Sequence, residues 1–218
     1  MNNFSYISKY NPVIKESYDN VIDILNSVQD LIRDKFTFSF TPVGSYSRNM
    51  ITYDRKSNVG FDFDFNIEIN DDDENFSAKE IKNIVMNALN RVATKYGFSY
   101  AEDSTRVITI KKINYFSSSI EYSCDFAIVY NYIDKYARLK QQYIHFNKKS
   151  NQYYWCEQSD GYYKLSSKIK WLKENKHWNE LREYYLYKKN INTDKKVASR
   201  TAFAISVHEI CQKYSYNI

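Results

Sequence analysis

The sequence predicts an α+β fold, a mixed β-sheet backed by helices with a carboxyl-terminal helical lobe, and three observations carry that reading. Runs such as Phe36-Thr37-Phe38-Ser39-Phe40 and Phe61-Asp62-Phe63-Asp64-Phe65 alternate apolar and polar residues strictly, as half-buried strands do. Residues 11–35 repeat apolar side chains every three or four positions, the period of an amphipathic helix. After Tyr132 the composition turns to Tyr, Lys and Asn, and helical segments follow over residues 164–187 and 195–214. The expected division is therefore a core over residues 1–135, with an amino-terminal bracing helix, and a hairpin plus helical lobe over residues 136–218.

In chain order, the helix over 11–35 has Pro12 near its start, where a missing N–H does no harm. Residues 36–40 form a strand entering a turn at Gly44-Ser45, followed by a short helix and a polar connection over 53–60. Residues 61–69 form the carboxylate-bearing strand. Ser77 with Glu80 makes a capping-box pattern opening a helix that runs to about Tyr96, and Gly97 stops it. Residues 106–113 and 119–130 read as a hairpin, as do 141–146 and 152–158 around 148–151. Trp171 and Trp178 stand seven apart on the helix expected over 164–187.

A chain of 218 residues suffices for one sizeable core, or a core with a small lobe. Aromatic residues make up 17% of it and there are only four Gly and two Pro, which excludes a linker or a disordered tail. The net charge of +5 is a mild bias toward anionic ligands, with lysines on solvated faces as its plainer source. Cys124, Cys156 and Cys211 are far apart, with neither zinc-type nor disulfide-framework spacing, as in a reducing cytoplasm. No apolar leader or membrane-length segment is visible, so a cytoplasmic protein with no membrane partner is expected. His145, His177 and His208 are scattered and support neither a histidine metal site nor a Ser/His/Asp triad.

In a strand, Asp62 and Asp64 project to one side and Phe61, Phe63 and Phe65 to the other. Two such carboxylates can serve the same metals, and one or two Mg²⁺ ions with a nucleoside triphosphate would offset the burial of charge. Asp71-Asp72-Asp73-Glu74 reads as a solvated helix entry, with attraction of a cationic acceptor such as an aminoglycoside as the sharper alternative.

Gly44-Ser45, then Asp62-Phe63-Asp64, then Asp125 within Ser123-Cys124-Asp125-Phe126-Ala127-Ile128-Val129 resembles the DNA polymerase β nucleotidyltransferase superfamily. The string Gly-Ser-Tyr-Ser-Arg over 44–48 is most similar to the branch of bacterial cGAS-like and oligoadenylate-synthase-like enzymes. The resemblance spans residues 42–130 and implies a nucleotidyltransferase fold. It implies transfer of a nucleoside monophosphate from an NTP to an acceptor hydroxyl, with release of pyrophosphate and with Mg²⁺ or Mn²⁺ as cofactor. Asp62, Asp64 and Asp125 are then the catalytic metal ligands. Gly44, Ser45 and Arg48 contact the nucleotide, Lys168 in Ser166-Ser167-Lys168 contacts the triphosphate, and the active cleft lies between core and lobe. Asn49-Met50 replaces the Gly-Thr of many relatives, and the spacer before Asp62 is long. The Gly-Ser-Tyr string and Arg48 favour a nucleotide acceptor and second-messenger synthesis. The rivals are toxin-type or antibiotic-modifying transfer to RNA, protein or a small molecule, and a silent nucleotide- or RNA-binding module.

Overall fold

The computed structural model describes residues 2–54, 60–71, 74–192, 194 and 198–216. Its elements begin with β1 (Ser5–Ile7), α1 (Pro12–Ile32), β2 (Thr37–Val43), α2 (Gly44–Ser47), β3 (Ile51–Tyr53), β4 (Phe61–Asn70) and α3 (Ala78–Ala93). After a 3-10 turn at Thr94–Tyr96 come β5 (Glu102–Asp103), β6 (Ile108–Asn114), β7 (Ser119–Ile133), β8 (Leu139–Asn147) and β9 (Gln152–Glu157). Three helices close the chain, α4 (Asp160–Glu174), α5 (Trp178–Ile191) and α6 (Ser199–Lys213). They sort into two compact units, Ile7–Ile51 with Ser57–Glu157, and Met1–Tyr6 with Thr52–Lys56 and Gln158–Ile218.

The larger unit is built on a mixed sheet of order β2-β4-β7-β6-β5, with β8 added to β7 and β9 to β8. β4 and β7 run parallel, and the other pairs are antiparallel. This is the α+β arrangement expected from the sequence. Phe61, Phe63, Phe65, Ile67 and Ile69, the odd positions of β4, are all buried, while the even positions are exposed or half-buried. Helix α1 covers that apolar face: its Tyr18 ring lies 5.9 Å from both Phe63 and Phe65. Asn11 caps α1 by accepting a hydrogen bond from the Val13 N–H at 3.0 Å, with Pro12 in the first turn. Helix α3 opens with the expected capping box, in which Ser77 Oγ accepts from the Glu80 N–H and Glu80 Oε2 accepts from the Ser77 N–H. Gly97 ends the following turn at φ 77°, a left-handed geometry that glycine adopts without steric penalty.

β7 serves two neighbours on one side. Residues 119 to 126 pair with β6, and Val129–Ile133 pair with β8. The expected boundary at 135 thus falls inside a hairpin that continues the sheet, and the compact units part after Glu157 instead.

In the smaller unit, Leu172, Leu181, Tyr185, Phe203, Val207 and Ile210 are buried. Asn190 ties the amino-terminal residues to α5, its Oδ1 accepting from the Phe4 N–H at 2.7 Å and its Nδ2 donating to the Phe4 carbonyl at 3.0 Å. The helix expected over 164–187 is two helices, because Lys176 adopts φ 64° and breaks the run. Trp171 and Trp178 therefore sit on different helices. β1, β3 and β5 were not expected, and most of the connection over 53–60 lies outside the described residues.

Phe63 is fully buried and its ring meets those of Tyr18, Tyr46, Phe61 and Tyr122 at 5.4 to 5.9 Å. Phe63→Ala is expected to cost about 3–5 kcal/mol, read as a lower midpoint in urea unfolding.

Candidate active site

The parallel register of β4 with β7 sets Asp64 beside Asp125 and Asp62 beside Ser123. The antiparallel register of β7 with β6 sets Thr109 beside Asp125 and Lys111 beside Ser123, and Glu102 on β5 pairs with Thr109. Directly paired residues share a sheet face. Two rows therefore cross one face, Asp64-Asp125-Thr109-Glu102 and Asp62-Ser123-Lys111.

Hydroxyls fix two of the carboxylates. Thr109 Oγ1 donates to Asp125 Oδ1 at 2.5 Å, and Ser123 Oγ donates to Asp62 Oδ1. Lys111 Nζ pairs with Glu102 Oε1 at 2.5 Å. Burial raises the Asp125 carboxyl above the ordinary carboxylate range, the charges of Asp62 and Glu102 add to it, and the Thr109 hydrogen bond and Lys111 oppose it. Cys124 lies fully buried on the opposite face, its thiol pushed up by burial and then by the three aspartates, as befits a structural core residue.

β2 ends at Val43, paired with Asp64, so the turn that follows lies against that carboxylate. Gly44 sits at φ +66°, and a Cβ there would stand 1.9 Å from Asp64 Oδ2. Both the backbone angle and the space exclude a side chain. The turn is pinned from beneath: the Tyr46 ring stacks on Tyr18 at 4.2 Å and meets Phe63 edge-on at 5.4 Å. Ser45 is half-buried and is not the cap of α2, a position held by Val43 without a side-chain hydrogen bond. Arg48 is half-buried just after α2, and Asn49, at φ 52°, accepts from the Lys9 N–H at 3.0 Å. The larger unit thus brings Gly44, Asp62, Asp64 and Asp125 to one end of the sheet. Lys168 belongs to the smaller unit, where its Nζ lies 2.9 Å from His208 Nδ1.

Among the described residues no three His, Cys, Asp or Glu side chains close around a single metal position. An open, oxygen-only array is nevertheless what Mg²⁺ takes, since it keeps several waters and completes its shell with substrate phosphates rather than a protein cage. Adjacent carboxylates such as Asp64 and Asp125 also repel, which a cation relieves. The donor chemistry fits the expected ion.

Sequence reasoning missed Ser123, Thr109, Glu102 and Lys111. Their only signal was position, a polar residue on the carboxylate face of a neighbouring strand.

No protein-family model matches the chain, and no curated protein matches its sequence. Solved structures match its fold. Elizabethkingia meningoseptica CdnE cyclic dinucleotide synthase with GTP and Apcpp superposes with a TM-score of 0.51 at 15% identity, over 87% of this chain and 67% of that one. Rhodothermus marinus CdnE c-UMP-AMP synthase with Apcpp and Upnpp gives 0.52 at 10% identity, over 92% and 71%. Vibrio cholerae DncV cyclic AMP-GMP synthase, in complex with a linear pppApG intermediate, gives 0.53 at 9% identity, over 84% and 60%. The chain spans about half, 51%, of the Vibrio enzyme in its GTP-bound form. The likeness is one of fold, and the fold is the nucleotidyltransferase fold that the sequence resemblance implies.

Because the folded chain holds the Asp125 proton more tightly than the unfolded chain, the group's stabilising contribution is full below the ordinary Asp pKa and is lost as pH rises through the raised value. Asp125→Asn keeps an acceptor for Thr109 and removes the charge. Its thermal midpoint is expected above wild type at neutral pH, the gain vanishing as pH falls into the ordinary carboxylate range. Gly44→Ala is expected to destabilise by at least about 1–2 kcal/mol from the left-handed backbone alone, measured by urea unfolding.

Proposed function

We propose that this protein is a metal-dependent nucleotidyltransferase that moves a nucleoside monophosphate from an NTP to an acceptor hydroxyl, with a second nucleotide as acceptor and a nucleotide second messenger as product. One observation carries the reading: Asp64 and Asp125 stand side by side in the sheet with Asp62 in the next row and the Gly44 turn against Asp64. Support for the nucleotide acceptor comes from the fold likeness to synthases solved with GTP, Apcpp, Upnpp or a linear dinucleotide intermediate.

In this reading Asp62, Asp64 and Asp125 hold Mg²⁺ or Mn²⁺, which when bound neutralises the phosphates and lowers the pKa of the acceptor hydroxyl. The backbone of Gly44 and the hydroxyl of Ser45 meet the terminal phosphates, with Gly44 permitting close approach. Asp125 helps take the proton as the acceptor oxygen bonds to the α-phosphorus. The bond from the α-phosphorus to its bridging oxygen breaks, and pyrophosphate leaves. Ser123 and Thr109 keep the Asp62 and Asp125 carboxylates aimed while this happens. Arg48 and Lys168 are carried as nucleotide contacts by the sequence resemblance.

The test incubates the pure full chain with each α-labelled NTP and Mg²⁺ or Mn²⁺, alone and with total RNA. Label is expected in small nucleotide products, and label in RNA or on protein instead would point to the toxin-type rivals. Asp62→Asn, Asp64→Asn and Asp125→Asn are each expected to lower the rate roughly a thousandfold or more while the protein stays folded. Wild-type rates in all three would sink the proposal. NTP is expected to raise the thermal midpoint strongly only with the cation present, because triphosphate beside three carboxylates repels without it.

A further inference from the structure

A cavity of about 400 Å³ opens in the larger unit where the end of β4 and the start of α3 meet β7, β8 and β9. It lies on the other face of the sheet from the candidate active site. Strand parity settles this: Ile69 shares the buried face of Phe61 to Ile67, and Tyr130 shares the face of Cys124, Phe126 and Ile128, opposite to Asp125. Gln142 pairs with Tyr130, and Trp155 pairs with Ile144, two residues along β8 from Gln142, so both face the same way.

Its chemistry is specific. Phe76, Tyr130 and Trp155 supply aromatic walls, the rings of Tyr130 and Trp155 standing 6.4 Å apart at 59°. Asp71 and Glu74 bring two carboxylates, and among the described residues no Lys or Arg lines the cavity. The Asp71 carboxylate is fixed in place, accepting from the Phe76 N–H at 3.0 Å and from the Asn75 N–H at 3.2 Å. Each of its oxygens keeps a further lone pair. An anion is disfavoured although a helix begins here, because the capping box already engages the first turn of α3 and two negative charges stand at the rim. Aromatic faces with carboxylates and no base suit a compact cation with apolar substituents. The volume matches a small-molecule site.

We propose that this cavity binds a small organic ammonium ion, at a site separate from the face that carries Asp62, Asp64 and Asp125. The proposal does not rest on the nucleotidyltransferase reading. The probe is choline, a quaternary ammonium that fits an aromatic enclosure, titrated calorimetrically into the full-length protein at constant ionic strength. Its neutral isostere, with a tert-butyl group in place of trimethylammonium, is run alongside. Saturable one-to-one choline binding is expected, with the isostere weaker by about tenfold. Trp155→Leu is expected to abolish choline binding, and Glu74→Gln, at an exposed side chain whose change leaves the core untouched, to weaken it several-fold. Asp62→Asn, on the opposite face, is expected to leave choline affinity unchanged. No saturable binding, equal affinity for the isostere, or full choline affinity in Glu74→Gln would overturn the proposal.

Discussion

The parallel pairing of β4 with β7 is the constraint on which the candidate site turns. A shift of one residue in that register would carry Asp125 to the helix-covered face and leave Asp64 beside an apolar side chain. The register is enforced from the other side of the sheet. Phe61, Phe63 and Phe65 pair with Tyr122, Cys124 and Phe126, all buried, and slipping any of them would expose aromatic area on the order of the ~150–250 Å² each such ring buries. Packing on one face thus dictates charge placement on the other, and two carboxylates that repel are kept adjacent by side chains that point to the opposite face.

The Gly44 turn is constrained from both sides in the same spirit. Above it the Asp64 carboxylate occupies the volume a side chain would need, and below it Tyr46 is stacked on Tyr18 of α1. The resemblance-bearing string over 44–48 therefore mixes two jobs. Gly44 leaves room, whereas Tyr46 anchors, and only the structure separates them.

The parts of this architecture legible in the sequence are those encoded locally. The alternation around Asp62 and Asp64 and the Ser77 capping box each depend on neighbours within a few residues. The partners of the carboxylates were not legible, because pairing Ser123 with Asp62 or Thr109 with Asp125 requires a cross-strand register that no short window contains. The break between α4 and α5 was missed because Asn175-Lys176-His177 carries no Gly or Pro. Strands of two or three residues, such as β5 and β1, are too short to show a period. The extension of the sheet by β8 and β9 was hidden by a compositional change at Tyr132 that does not coincide with a structural one.

The β4 and β7 pairing also bears on how the chain reaches this state. Asp62 and Ser123 are 61 residues apart, whereas α1, α3 and the hairpins of β6 with β7 and β8 with β9 assemble from nearby segments. Loop closure over that distance must precede the contacts that reward it, so topology favours local elements forming before the parallel pair. On that ordering the carboxylate face completes only when the two distant strands meet, since neither strand alone places Asp64 beside Asp125.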